Sequence, residues 1–213
     1  MQDAHAPTVF IVDDDESVRA SLELLVRSAG WQPEAFSSAR EFLARPPAER
    51  PSCLLLDFGL PDLNGLEVQA LLAGRGEMPI IFVTGYGDVP MTVRAMQAGA
   101  VDFLTKPYDA ETLLFAIRRA LERSATALAH NAHLQQLRGC YESLSRRERQ
   151  VMTLVVDGRL NKQVGGELGI SEITVKAHRG KLMRKMQANS FADLVRKMMT
   201  LRVGQGGLGQ SMP

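Results

Sequence analysis

A doubly wound, parallel five-stranded α/β domain followed by a compact all-α domain is the architecture the sequence predicts. Three observations predict it. Short apolar runs recur through the first half: TVFIV (8–12), CLLL (53–56), PIIFV (79–83) and AVDFL (100–104), each bounded by acids, Gly or Pro. Continuous apolar runs of this length suit strands buried on both faces, and helical patterns between them suit parallel crossovers. From Leu144 onward the strand-like runs give way to successive helix-start signals separated by glycine.

The elements follow in order. After Asp13-Asp14-Asp15, the residues Val18, Leu22, Leu25, Val26 and Ala29 recur at helical spacing, and Gly30 fits the stop. A weaker strand, WQPEAF (31–36), comes next. Asp88 can cap MTVRAMQA before Gly99, and Asp109 can cap ETLLFAIRRAL. Five strands alternating with five helices build an open sheet whose site lies outside the carboxyl ends of the strands.

Composition narrows the classes. The net charge of +1 conceals opposite halves: residues 1–120 carry −7 and residues 121–213 carry +8. Such a division predicts two domains, the second facing a polyanion. The start MQDAHAP lacks a basic patch before an apolar run, which argues against a secretory signal, and no run approaches the ~20 apolar residues of a membrane span. Cys53 and Cys140 lie too far apart for a disulfide framework, so a reducing cytoplasm is expected.

Polar residues sit at the expected strand ends. Asp13, Asp14 and Asp15 follow the first apolar run, Asp57 the third by position, Thr84 the fourth and Lys106 the fifth. Carboxylates and phosphate oxygens suit Mg²⁺, an Asp carboxylate can become an aspartyl phosphate, and an ammonium pairs with a phosphoryl group as a point charge. Each residue alone has an ordinary reading: Asp15 as a helix cap, Thr84 in a turn, Lys106 in a solvated loop. Their joint placement favours a site. The segments FIVDDD, LLLDFGLPDLNG and IIFVTGYGDVPMTVRAMQAGAVDFLTKPY resemble the receiver domain of response regulators, a flavodoxin-like fold, over about residues 7–122. That resemblance implies Asp57 as phosphoacceptor. It also implies a Mg²⁺ (or Mn²⁺) site from Asp13, Asp14, Asp57 and the Gly59 carbonyl, with Asp14 the better candidate for direct contact. Thr84 and Lys106 would read the phosphate and Phe103 would be the aromatic switch. Pro61 and Gly65 match the loop after the acceptor, and a cis peptide is implied before Pro107. Asp13 and Asp15 also fit the spacing of a haloacid-dehalogenase-like phosphatase. The order Asp57, Thr84, Lys106 and the basic second half favour the receiver over that enzyme.

Residues 110–142 hold no strong breaker before Gly139, and Leu114, Ile117, Leu121, Ser124 and Leu128 form a stripe that restarts at Leu134 and Leu137. A long dimerising helix and a shorter helix followed by a flexible linker both fit. Ser145 to Glu148 has the capping-box pattern. Asn161 is expected to cap KQVGGEL, Ser171 to open EITVKAHRGKLMRKM, and Ser190 to open FADLVRKMMTL. Short helices joined by a glycine turn form a helix-turn-helix.

The strings LSRRERQVM, NKQVGGELGIS and TVKAHRGKLMRKM resemble the LuxR-type helix-turn-helix of the NarL/FixJ family, and the receiver details point to its FixJ branch. The chain is also similar to regulators of aromatic-hydrocarbon catabolism. The resemblance implies a transcription factor rather than an enzyme, switched by a sensor histidine kinase. Its other partners would be double-stranded promoter DNA, RNA polymerase and a second copy formed on phosphorylation, with no membrane. Lys176, Arg179, Lys181, Arg184 and Lys185 are the expected DNA contacts, and Leu194, Val195 and Met198 the expected dimer contact. His178 reads as structural. Domains are expected at 7–122 (receiver), 123–142 (helical linker) and 143–202 (reader), with a disordered tail at 203–213. Two departures from the family stand out. Gly165-Gly166 inside a helix should cost ~1 kcal/mol each relative to Ala, and Gly180 stands where relatives often carry a longer side chain.

Overall fold

The computed structural model describes residues 6–73, 78–85 and 87–206. The chain divides into two compact units, Met1–Ala129 and His130–Pro213.

In the first unit the strands are β1 (Thr8–Val12), β2 (Gln32–Phe36), β3 (Ser52–Asp57), β4 (Ile80–Thr84) and β5 (Asp102–Thr105). The helices are α1 (Glu16–Ser28), α2 (Ala39–Ala44), α3 (Gly65–Ala73), α4 (Val89–Gln97) and the start of α5 (Ala110–Glu142). All strand pairs are parallel, in the order β2-β1-β3-β4-β5. Alternate residues of the central strands point to opposite faces. Val9, Ile11, Cys53, Leu55, Ile81 and Val83 pack with α1 and α5 through Leu22, Val26, Leu113 and Ile117. Phe10, Val12, Leu54, Leu56, Ile80 and Phe82 pack with Phe42, Val68, Leu72 and Ala95 of the other helices. Burial on both faces explains why these strands read as unbroken apolar runs.

Local signals place the helix ends. Asp15 caps α1, accepting from the Ser17 and Val18 amides, and Gly30 adopts φ +83° just past its end. Asp88 caps α4 through the Met91 amide, and Asp109 accepts from the Thr112 amide at the start of α5. A cap on α2 comes from farther away: Asp62, in the loop before α3, accepts from the Ala39 and Arg40 amides.

Helix α5 is continuous from Ala110 to Glu142, so of the two readings of this segment the unbroken helix is the one observed. Its Leu113, Ala116, Ile117 and Ala120 belong to the first unit's core, and Leu137 to the core of the second. That second core also holds residues from α6 (Arg146–Val156), α7 (Asn161–Leu168), α8 (Glu172–Lys185) and α9 (Phe191–Gly206). Ser145 and Glu148 close the expected capping box, and Ser171 caps α8 through the Thr174 amide.

Three expectations change here. Asn161 is the first residue inside α7 rather than its cap: the Leu160 amide donates to Gln163 Oε1, and the Asn161 side chain is turned to another use. The tail expected to be disordered from 203 is helical through Gly206, while residues 207–213 lie outside those described. Gly165 is a steric requirement rather than a tolerated cost. A Cβ there would sit 2.7 Å from the Ile170 carbonyl oxygen, because the chain folds back over α7 and the Ile170 amide bonds the Gly165 carbonyl at 3.0 Å.

Gly166, one residue on, faces open space. The two glycines should therefore respond oppositely to alanine. Gly166→Ala is expected to stabilise the chain by about 0.5–1 kcal/mol through helix propensity, and Gly165→Ala to destabilise it by about 1–3 kcal/mol through overpacking. Denaturant unfolding of the full chain measures both.

Candidate functional site

The strand order reverses between β1 and β3, and open α/β sheets form their crevice at such a point. Asp13 follows β1 and Asp57 ends β3 there. Lys106, just past β5, reaches both: its Nζ lies 2.6 Å from Asp13 Oδ2 and 3.3 Å from Asp57 Oδ1. Other bonds fix the participants. The Gly59 amide donates to Asp57 Oδ2 at 3.0 Å and the Asp15 amide to Asp13 Oδ1 at 3.0 Å. Arg19 Nη1 donates to the Asp13 carbonyl at 2.7 Å, and the Lys106 amide to the Thr84 carbonyl at 2.7 Å. The Lys106–Pro107 peptide is cis, as the resemblance implied.

Burial sets the electrostatics. Asp13 is 2% exposed and Asp57 is nearly as buried, whereas Asp14 faces solvent. Desolvation raises the Asp57 pKa above the ordinary carboxylate value; the Asp13 charge adds to this, and the Lys106 charge and the Gly59 amide oppose it. Desolvation alone would lower the Lys106 pKa, but its hydrogen bond to Asp13 and the charges of Asp13 and Asp57 outweigh burial and raise it. The two carboxylates thus favour the charged form of Lys106, while burial works against the charged form of Asp57. The Asp15 pKa is lowered by the Ser17 hydroxyl and amide, the behaviour of a cap, so the ordinary reading of Asp15 stands.

Among the described residues no cluster of three or more His, Cys, Asp or Glu side chains is arranged to hold a metal. What Asp13 and Asp57 offer is two convergent hard carboxylates. That donor set fits an ion such as Mg²⁺, which binds through one or two carboxylates and keeps several waters.

The remaining receiver residues surround the acids. Thr84 is buried at the end of β4. Phe103 is half-buried, its ring 6.0 Å from that of Phe82, which in turn lies 5.7 Å from Phe58 next to Asp57. Gly65 begins α3 against these rings: a Cβ would fall 2.6 Å from Phe82 Cε1. An aromatic row therefore connects the loop after Asp57 to β5.

In the second unit, helix α8 sorts its charges. Lys176, Lys181 and Arg184 are exposed, with Lys176 3.2 Å from Glu172 one turn before it. Arg179 instead donates from Nη1 to Asn161 Oδ1 at 2.6 Å and lies over the Phe191 ring at 5.7 Å, so it ties α8 to α7 and α9. Lys185 points back to α6, its Nζ 2.8 Å from Glu148 Oε2 and 2.9 Å from the Ser143 carbonyl. These two expected DNA contacts are committed within the domain. The reason is that acceptors on α6 and α7 face the inward edge of α8. His178 is half-buried with a buried Nδ1 that lacks a partner, in keeping with a structural reading. Leu194 and Met198 also turn inward, into the core of the unit, and Val195 is half-buried; among the described residues the exposed large apolar side chains of α9 are Phe191 and Met199. Hydrophobic spacing on α9 serves the domain's own core first. The Glu148–Lys185 pair carried no local sequence signal beyond the capping box, and Arg19 carried none.

Comparison with known proteins places both units. Residues 9–118 match the response regulator receiver domain, and residues 142–198 match the bacterial regulatory proteins of the luxR family. The chain is 50% identical over 196 residues to nodulation protein W of Bradyrhizobium diazoefficiens, covering 92% of this chain and 86% of that protein. It is 49% identical to response regulator protein TodT of Pseudomonas putida (90% and 85% covered) and 42% identical to transcriptional regulatory protein FixJ of Rhizobium meliloti (96% and 98%). A solved structure of response regulator StyR matches with a TM-score of 0.82 at 45% identity, covering 91% of this chain and 98% of that one. A receiver sheet joined to a LuxR-type helix-turn-helix defines a DNA-binding response regulator of a two-component system. The chain belongs to the NarL/FixJ family of these regulators, which are transcriptional regulators and not enzymes. Membership implies a histidine kinase and DNA as partners, and receiver domains generally bind Mg²⁺ at the site of phosphorylation. Among the described residues no helix is long and apolar enough to cross a membrane.

The anchor of α8 is sensitive to acid. Glu148 is 4% exposed, and the Lys185 ammonium, with the Ser145 amide, pulls its pKa from 4.5 down to about 2. Because the folded value is the lower one, this stabilisation is complete above pH 4.5 and disappears as pH falls towards 2. Glu148→Gln is expected to cost on the order of 2–3 kcal/mol at neutral pH, with the deficit shrinking below pH 4.5. Urea unfolding of both proteins across that range measures it.

Proposed function

We propose that Asp57 is the phosphoacceptor of this regulator and that its phosphorylation by a sensor histidine kinase promotes dimerisation and promoter binding. The observation that carries this reading is the Lys106 ammonium held between Asp13 and Asp57 at three converging strand ends. A carboxylate oxygen of Asp57 attacks the phosphorus, forming an acyl phosphate as the bond from phosphorus to the donor nitrogen breaks. Asp13, Asp14 and Asp57, with the Gly59 carbonyl, would hold Mg²⁺ (or Mn²⁺), which supplies charge screening between two approaching anions. The Gly59 amide orients Asp57 through Oδ2. Lys106, already poised beside the acceptor, pairs with a phosphoryl oxygen, and the Thr84 hydroxyl donates to another. Withdrawal of Thr84 and Lys106 towards the new charge is felt by Phe103, the end of the aromatic row, and through β5 by α5.

On the output side, Lys176, Lys181 and Arg184 contact DNA, while Arg179 and Lys185 position the helix that carries them. The receiver spans about 7–122, the linker 123–142 and the reader 143–202. The regulator works in the cytoplasm as a phosphorylation-dependent homodimer that engages RNA polymerase at the promoter.

Labelling the full chain with acetyl phosphate tests the acceptor. Incorporation is expected with Mg²⁺ or Mn²⁺ and is lost on chelation. Asp57→Asn should abolish it, whereas Lys106→Ala should retain part of it and weaken the gain in DNA affinity. Undiminished labelling of Asp57→Asn would overturn the assignment.

A further inference from the structure

The surface of α8 left for DNA is not uniformly basic. Arg179 is half-buried and Lys185, though exposed, is bonded within the domain, while Val175 and Leu182 are buried; the other exposed residues of the helix are Glu172, Ile173, Lys176, Ala177, Gly180, Lys181 and Arg184. Ile173, Ala177 and Gly180 follow one another at four- and three-residue steps, so they form a single row along the helix. Lys176 and Lys181 flank that row, and Arg184, four residues past Gly180, continues it. Ile173 is 80% exposed, one of the most exposed large apolar side chains among the described residues, and it lies in the first turn after the Ser171 cap. Its side chain serves no packing role in its own unit. In helix-turn-helix proteins the N-terminal residues of the recognition helix meet the base edges. An isopropyl-like surface there can donate and accept no hydrogen bonds. The one apolar feature a base pair presents in the major groove is the thymine 5-methyl group. Gly180 adds a second element: nothing lies within 4 Å of where its Cβ would be, so at that step of the row the helix presents bare backbone and can sit close to the groove floor.

We infer that Ile173 is a specificity-determining residue that reads thymine through its methyl group, with the flanking lysines and Arg184 anchoring the phosphates. This rests on the assignment of α8 as the reading helix. It makes the sequence preference of this regulator hydrophobic at the position under Ile173, where a basic or polar residue would ask for a hydrogen-bonding base edge.

The test begins with selection of preferred sites by the full-length, acetyl phosphate-treated chain from a randomised double-stranded DNA library. Each thymine of the selected site is then replaced singly by deoxyuridine, which deletes only the methyl group. At one position per half-site, deoxyuridine should weaken binding about fourfold, the effect of exposing one methyl-sized group. In Ile173→Ala the same replacement should have no effect, while binding of non-specific DNA is unchanged. Ile173 is exposed, so this variant should keep the parent's thermal unfolding profile, which serves as the folding control. Lys176→Ala and Arg184→Ala should weaken all duplexes alike and flatten the salt dependence.

If the basic variants bind as the parent does, the assignment of α8 fails and the inference with it. If they weaken binding but no thymine is methyl-sensitive, or the sensitivity persists in Ile173→Ala, the inference alone is overturned. A selection that returns no sequence preference overturns it as well.

Discussion

One ammonium between two buried carboxylates organises the receiver unit. Asp13 directly follows β1 and Asp57 ends the neighbouring β3, and both are withdrawn from water at the same edge of the sheet. Two such charges repel, and desolvation penalises each, so the arrangement stands only with a cation between them. Lys106 supplies that cation from the loop after β5, beyond β4, and its backbone is pinned to Thr84. The site therefore depends on three strands ending level with one another. The alternating cores on the two sheet faces provide that alignment, since a slip of one residue would exchange the core face with the opposite one.

The same interaction makes the site responsive. A phosphoryl group on Asp57, as proposed, would change the charge that Lys106 balances, and Lys106 is covalently next to β5 and close in sequence to α5. Phe103 and Phe82 join this region to the loop after Asp57 through ring contacts. A local electrostatic change thus meets a packed aromatic row, and packed rows move between discrete arrangements more readily than they deform.

The second unit puts charge to a different use. Its reading helix spends Arg179 and Lys185 on neighbouring helices, where they satisfy Asn161, Glu148 and the Ser143 carbonyl. These bonds orient the exposed face that remains, in the way that supporting contacts hold a binding surface. A count of basic residues along α8 cannot distinguish the face turned to solvent from the edge turned to α6 and α7. Gly165 shows the same thing for shape: its lack of a side chain is what allows the turn carrying Ile170 to close over α7.

How much was legible in the sequence follows from the range over which each signal acts. Buried parallel strands, the Asp15, Asp88, Ser145 and Ser171 caps, and the strand-end positions of Asp13, Asp57, Thr84 and Lys106 were all readable, because hydrophobic period and capping chemistry act within a few residues. The bonds from the Ala39 and Arg40 amides to Asp62 span 23 and 22 residues, that from Lys185 to Glu148 spans 37, and that from Arg179 to Asn161 spans 18. Nothing local distinguishes those side chains from their solvated neighbours. Likewise the apolar spacing of Leu194 and Met198 shows that α9 has a buried face without saying what buries it. The sequence by itself determined which elements form and which chemical groups stand at their ends. Only the tertiary structure decided which of those groups meet and which are used up inside, because a side chain's partner is set by the element packed against it rather than by its neighbours along the chain.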